Sequence, residues 1–379
     1  MKKLIIVTGA GFTKRDEERF QVNKFLESGV SCMVYDITHL ICPERETNDC
    51  EILEQPYYFS FNTIADFKMT LLSHKEDSCI ILPSNTLTYT LGNILKFLKF
   101  HNFCTLQLRL GNNPTKEFGL LETIKLKLQK ITVRKIVYKL KILSIRWMYG
   151  DFNPSFILSS SPESSETSKI IFANSMDYDN YLANKDKLTK AYDNYVVFLD
   201  EDWPFHPDNE EQLGACLHSI APSYYAKLNN FFKFIEKKYK TKVIVAVHPR
   251  AKLERTREYL KDFILVQGST HALIKYSKFV LAHQSTSVSF TILYKKPIVF
   301  MMMDDIKKYA FNSISAFADS LNLVPLDVEN QDKWEDISLN IDDYYYAEYI
   351  RKYLSPAFSN KQMYEIMIEN ILDENDSRG

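Results

Sequence analysis

The sequence predicts an α/β protein built from two wound parallel-sheet domains. Three observations predict it. Short apolar runs of strand length alternate with segments of helical period. The alternation is played out twice, separated by a polar stretch rich in Lys, Asn and Asp from Tyr181 to Asn194. The 379 residues exceed one small core and suit two domains of ordinary size. The pattern places an N-terminal domain over 1–185, a second over 195–345, and a C-terminal helix with an acidic tail over 346–379.

In the first round, Leu4 to Val7 reads as a buried strand that ends at Thr8-Gly9-Ala10-Gly11. A helix is expected from about Asp16 to Glu27, then strands at Ser31 to Tyr35 and Cys79 to Leu82. Leu87 to Phe100 has helical spacing, and Thr105 to Leu110 is a strand before the turn Gly111-Asn112-Asn113-Pro114. Phe156 to Ser159 and Lys169 to Phe172 complete this sheet.

The second round opens with the strand Tyr195 to Leu199, followed at once by Asp200-Glu201-Asp202-Trp203-Pro204. A long helix runs from about Tyr224 to Tyr239. The strand Val243 to Val247 ends at His248-Pro249-Arg250. After a helix at Leu253 to Leu260, a strand at Phe263 to Val266 and a helix at Ser269 to Tyr276, the strand Lys278 to Ala282 ends at His283-Gln284-Ser285-Thr286-Ser287. A helix at Val288 to Tyr294 and a last strand at Pro297 to Met301 close the round.

Composition narrows the function. Apolar residues make up 45% and charged residues 25%, which is globular rather than disordered. A net charge of -1 gives no global attraction to nucleic acid. The six cysteines form no CxxC, and no His stands at zinc-finger spacing, so no metal site and no disulfide framework is expected. Scattered cysteines fit a reducing cytosol. The N-terminal apolar run is too short for a signal peptide, and the longest comparable run, Ile298 to Met303, is far below a membrane span.

In wound α/β sheets, ligands lie outside the carboxyl ends of the strands, so the candidate residues are those that end strands. Pro249 holds His248 extended at a strand end, where an imidazole can donate to a phosphate oxygen, and Arg250 adds a planar fork suited to phosphate. Ser285, Thr286 and Ser287 stand where a helix starts and offer hydroxyls as caps or as phosphate donors, with Gln284 beside them. The two motifs are expected at the ends of neighbouring strands. A second His-Pro dipeptide stands at His206-Pro207. The loop around Gly9 and Gly11 lacks both GxGxxG and a P-loop lysine, which argues against a dinucleotide or ATP site there.

The order of acidic cluster, His-Pro and Ser/Thr cluster resembles the motif series of bacterial sialyltransferases and related Kdo transferases. Lys278 to Phe300 also looks like polysaccharide-export Kdo transferases and teichoic-acid polyol-phosphate transferases. The resemblance covers about Tyr195 to Phe300. It implies the GT-B architecture, two Rossmann-like parallel-sheet domains facing a cleft, with the loop around Gly9 and Gly11 on the acceptor side, where Arg15, Asp16, Asp36 or Asp151 could also face an acceptor. It further implies transfer of an acidic sugar (sialic, legionaminic or pseudaminic acid, or Kdo) from a CMP-linked donor to a surface glycan or lipid-linked glycan, with no cofactor. On this resemblance His248 contacts the donor phosphate, Pro249, Arg250, Gln284, Ser285, Thr286 and Ser287 hold it, and Asp200, Glu201 or Asp202 is the general base. Trp203 stands where the family usually has Gly. A UDP- or GDP-sugar donor, a CDP-polyol donor, or an idle scaffold of a polysaccharide assembly complex are the alternatives.

Lys96 to Arg146 carries twelve Lys or Arg against two acidic residues. Within it Val133, Ile136, Val137, Leu140, Leu143 and Trp147 follow helical spacing, with Arg134, Lys135, Lys139 and Lys141 mostly off that stripe. Such a helix can pack by its stripe, face an anionic acceptor, or lie on the anionic inner surface of the cytoplasmic membrane, as a peripheral protein would.

Overall fold

The computed structural model describes residues 3–42, 50–83, 87–116, 133–206 and 216–372. Expectations resting on Pro207, on 117–132 of the basic segment and on 373–376 of the acidic tail lie outside these residues. The chain divides into two units, one of 1–110, 118–176 and 359–379, the other of 111–117 and 177–358. The C-terminal segment therefore belongs in part with the first unit.

Among the described residues, the first unit holds seven strands: β1 (Lys3–Thr8), β2 (Ser31–Asp36), β3 (Tyr58–Ser60), β4 (Ser78–Ile81), β5 (Cys104–Arg109), β6 (Phe156–Ser159) and β7 (Lys169–Phe172). They pair in the order β3-β2-β1-β4-β5-β6-β7, all parallel. Alternate side chains of β1 serve two cores. Leu4 and Ile6 join one cluster, and Ile5 and Val7 the other. A sheet covered on both faces has no polar side to show, which is why its strands read as continuous apolar runs. Met363, Ile366 and Met367 of the C-terminal helix fill the first of these clusters.

Two local expectations are corrected. The single helix over 16–27 is two, Lys14–Arg19 and Val22–Glu27, because Gln21 between them is left-handed with φ 54°. Its side-chain oxygen accepts the Tyr364 amide, a contact 343 residues distant that no local pattern carries. The pattern assigns nothing between Tyr35 and Cys79, yet β3 and the helix Ile64–Ser73 lie there. β3 is a three-residue strand with only Tyr58 buried, too short to show a period.

The second unit holds β8 (Tyr195–Leu199), β9 (Lys242–Val247), β10 (Ile264–Gln267), β11 (Val280–Ala282), β12 (Ile298–Met302) and β13 (Leu326–Asp327). Their order is β10-β9-β8-β11-β12-β13, again all parallel. The helix Ala221–Tyr239 buries Tyr224, Tyr225, Leu228, Phe231, Phe232 and Ile235, the three- and four-residue spacing of one helical face. Pro222 suits its first turn, and Lys240, left-handed at φ 46°, ends it. β12 is not the last strand: the helix Asp304–Ser320 leads on to β13.

Candidate active site at the strand ends of the second unit

The strand order corrects the expectation that the His-Pro and Ser-Thr-Ser motifs end neighbouring strands. β8 runs between β9 and β11. In register, Leu199 faces Ala246 on one side, and Phe198 faces Leu281 on the other. The chain builds β9 and β10 outward from one edge of β8, then returns to the other edge with β11. That reversal is where wound sheets open a crevice at their carboxyl ends. The acidic residues after β8 are thus flanked by His248 on one side and Gln284 on the other.

Asp200, Glu201 and Asp202 form a tight turn. Asp200 is buried, and its Oδ1 accepts the Asp202 amide at 3.0 Å. Asp202 is left-handed with φ 51°, a conformation Asp tolerates better than most residues. Its Oδ2 is ion-paired with the Arg255 guanidinium, which lies 4.0 Å from the centre of the Phe205 ring. Glu201 reaches the other way and accepts the Gln284 amide at 2.7 Å, so β8 and β11 are tied across the switch point. Among the described residues, Gln284 Oε1 is buried without a hydrogen-bond partner.

This burial is costly for negative charge. Desolvation pushes the Asp200 carboxyl up to about 7, against the pull of the Asp202 and His248 amides. Desolvation also pushes Glu201 up to about 8, with the charge of Asp200 adding to the effect. Asp202 rises only to about 6, because Arg255 offsets part of its burial. At neutral pH the cluster is a partly protonated set that can exchange protons, the property acid–base chemistry requires.

The His-Pro-Arg motif is a closed turn, with the Ala251 amide donating to the His248 carbonyl at 2.9 Å. Gln267 at the end of β10 clamps it, its amide nitrogen donating to the carbonyls of His248 at 2.9 Å and Ala251 at 3.0 Å. His248 Nδ1 accepts the Arg250 amide at 3.3 Å, which leaves Nε2 as the proton-bearing nitrogen of the neutral ring. The His206 and His248 rings meet at 4.9 Å in an edge arrangement, and Arg250 donates to His206 Nε2 at 3.2 Å. His206 thus joins His248 and Arg250. The only sequence signal for it is the second His-Pro dipeptide.

Ser285, Thr286 and Ser287 do not cap the following helix as expected. That helix, Val288–Leu293, has Ser287 in right-handed helical geometry at its N-cap and no side-chain capping bond. The motif has already coiled into turns: the Ser285 carbonyl accepts the Val288 amide at 3.1 Å, and Ser285 Oγ accepts the Ser287 amide at 3.3 Å. Thr286 is exposed and its hydroxyl makes no hydrogen bond among the described residues. Beneath the motif, His283 is fully buried. Its Nδ1 donates to the Met301 carbonyl at 2.7 Å and its Nε2 accepts from Tyr224 at 3.1 Å. Burial pushes its pKa down to about 4, so it is a neutral structural imidazole.

In the first unit, the glycine loop is pinned. Gly11 has φ 80°, and its amide donates to Thr38 Oγ1 at 2.6 Å. Thr38 in turn donates through its amide to the buried Asp36 carboxylate at 2.7 Å, and Tyr58 donates to the same carboxylate. Asp36 and Gly11 are therefore held by the fold. Asp16 caps its own helix with Thr13, and Asp151 is exposed beside Arg146 at 3.5 Å. Among the described residues, no group of three His, Cys, Asp or Glu is placed to hold a metal ion.

No family model matches this chain, and no curated protein matches it in sequence. Solved structures do match in fold. MnaA of S. aureus, solved with UDP, has a TM-score of 0.51 at 10% identity, over 100% of this chain and 97% of that one. The Methanocaldococcus jannaschii UDP-GlcNAc 2-epimerase, in complex with UDP-GlcNAc and UDP, has a TM-score of 0.48 at 14% identity, over 99% and 100%. Acinetobacter baumannii MurG gives 0.48 at 8% identity, over 100% of both chains. The likeness to MnaA spans the whole chain. The fold is of the GT-B class, two Rossmann-like parallel-sheet domains.

Proposed function

We propose that this protein is a glycosyltransferase that takes its sugar from a nucleotide-linked donor held at the strand ends of the second unit. The observation that carries this reading is the row formed by the β9, β8 and β11 ends. There an imidazole and a guanidinium lie on one side of a carboxyl pair of raised pKa, and the hydroxyls of Ser285, Thr286 and Ser287 lie on the other. His248, with Arg250 and His206, meets the charge that grows on the leaving phosphate. Gln284, Ser285, Thr286 and Ser287 donate to the same phosphate from the far side, with Pro249 fixing the turn.

Of the three carboxyls, Asp202 is committed to Arg255 and Asp200 is buried. Glu201 makes no ion pair among the described residues and is the group best suited to take the proton of an acceptor hydroxyl. The rate then rises with pH through about 8, and Glu201→Gln removes that rise.

The motif order supports CMP linked to an acidic sugar as the donor, with a surface glycan or lipid-linked glycan as acceptor. The full-length fold likeness to MnaA, solved with UDP, supports a UDP-sugar instead. Thermal shift with CMP, UDP, GDP and ADP separates the two, since a ligand bound only to the folded state raises its melting temperature. Stabilisation by none of the four supports an idle scaffold. His248→Ala lowers kcat/KM by about a hundredfold, the scale of one lost transition-state donor, and leaves the melting temperature unchanged. Full activity in that variant removes the phosphate role.

A further inference from the structure

The helix Val133–Tyr149 in the first unit leaves the apolar side chains of its stripe from Val137 onward exposed. Trp147 is 88% exposed, Leu140 and Leu143 are each 60% exposed, and Val137 and Met148 are exposed beside them. At about 100° per residue these five side chains span an arc of roughly 140°. Ile145 and Tyr149 lie on the other side and pack against the helix Tyr89–Phe100. A Cβ added at Gly92 there would stand 2.8 Å from Ile145 and 2.7 Å from Tyr149. The attachment fixes the rotation of the helix, so the stripe cannot turn inward. The arc contains one polar residue, Ser144, whose hydroxyl is held by Tyr89 at 2.7 Å.

Exposed cations border the arc on both edges, Lys139 and Arg146 on one and Lys141 on the other. An aromatic and aliphatic face rimmed by cations is complementary to one kind of surface, a bilayer whose headgroups are anionic and whose interior is apolar. Trp is the side chain that favours the boundary between the two. No helix among the described residues is long and apolar enough to cross a membrane.

We propose that this helix lies in the plane of an anionic membrane surface, with Leu140, Leu143 and Trp147 sunk among the lipids and Lys139, Lys141 and Arg146 against the headgroups. The inference stands apart from the proposed transfer reaction.

The test uses the intact chain and its own tryptophans. Trp203 and Trp334 are buried, so acrylamide quenching and spectral shifts on vesicle binding report Trp147. With phosphatidylcholine vesicles containing phosphatidylglycerol, Trp147 emission shifts to the blue and becomes shielded from acrylamide, and added salt reverses both effects. Lys139→Glu with Lys141→Glu weakens partition at least about tenfold, each cation contributing to the attraction near the surface. Leu143→Ser weakens it on all vesicles. The salt response of the unmodified protein provides a readout that needs no variant. Equal binding to pure phosphatidylcholine, or no shielding on anionic vesicles, overturns the proposal. So does concentration-dependent self-association that shields Trp147 without lipid.

Discussion

Asp200→Asn tests the physical reading of the acidic turn. The Asp200 carboxyl is buried, and it is pushed from an ordinary 3.8 up to about 7. Between those values the folded protein holds a proton on Asp200 that the unfolded chain has released. Stability therefore falls as pH rises through this window, by up to about 1.4 kcal/mol per pH unit. Over the three units the ceiling is about 4 kcal/mol. About half of it is expected in practice, since neighbouring Glu201 and Asp202 share the titration and the turn can relax. Below pH 4 the contribution is fully present, and above about 7 it is lost. Asparagine keeps the acceptor for the Asp202 amide and has no proton to lose, so the variant has the shallower pH dependence. The assay is urea unfolding from pH 5 to 8, followed by the fluorescence of Trp203 and Trp334, both buried in the second unit. Parallel stability curves for the two proteins would refute the burial argument, as would a variant that loses stability more steeply with pH.

Two further substitutions probe packing. Gly92→Ala drives a methyl group into Tyr149 and Ile145, so overpacking of about 1–3 kcal/mol exceeds the gain in helix propensity. The variant should melt lower and exchange amide hydrogens faster along Val133–Tyr149. Unchanged melting and exchange would mean that the two helices are not in close contact. His283→Leu leaves the Tyr224 hydroxyl and the Met301 carbonyl without their partner, at about 2–4 kcal/mol in urea unfolding. Unaltered stability there would make His283 something other than a structural imidazole.

Much of the fold was legible in the sequence because each sheet is parallel and buried. Such strands announce themselves as apolar runs, and the polar residues that end them stand out: Asp200 after Leu199, His248 after Val247, His283 after Ala282. The long helix Ala221–Tyr239 was equally plain from its spacing. What local pattern missed was short or set from afar, as with β3 and the left-handed Gln21 held by Tyr364. In the sequence His206 stands out only as half of a His-Pro dipeptide, and it is the turn after β8 that sets its ring against His248.

The sequence by itself thus determined which residues end strands and which helix is cationic and amphipathic. Tertiary structure alone decided that β8 lies between β9 and β11, so that Glu201 meets Gln284 and the His-Pro and Ser-Thr-Ser motifs stand on opposite flanks of the acidic turn. It also decided that Val137, Leu140, Leu143 and Trp147 of the helix Val133–Tyr149 stand exposed. The physical reason is the same in both cases. Periodicity records that a side chain has a face, whereas the partner of that face is chosen by pairings and contacts between residues far apart in the chain.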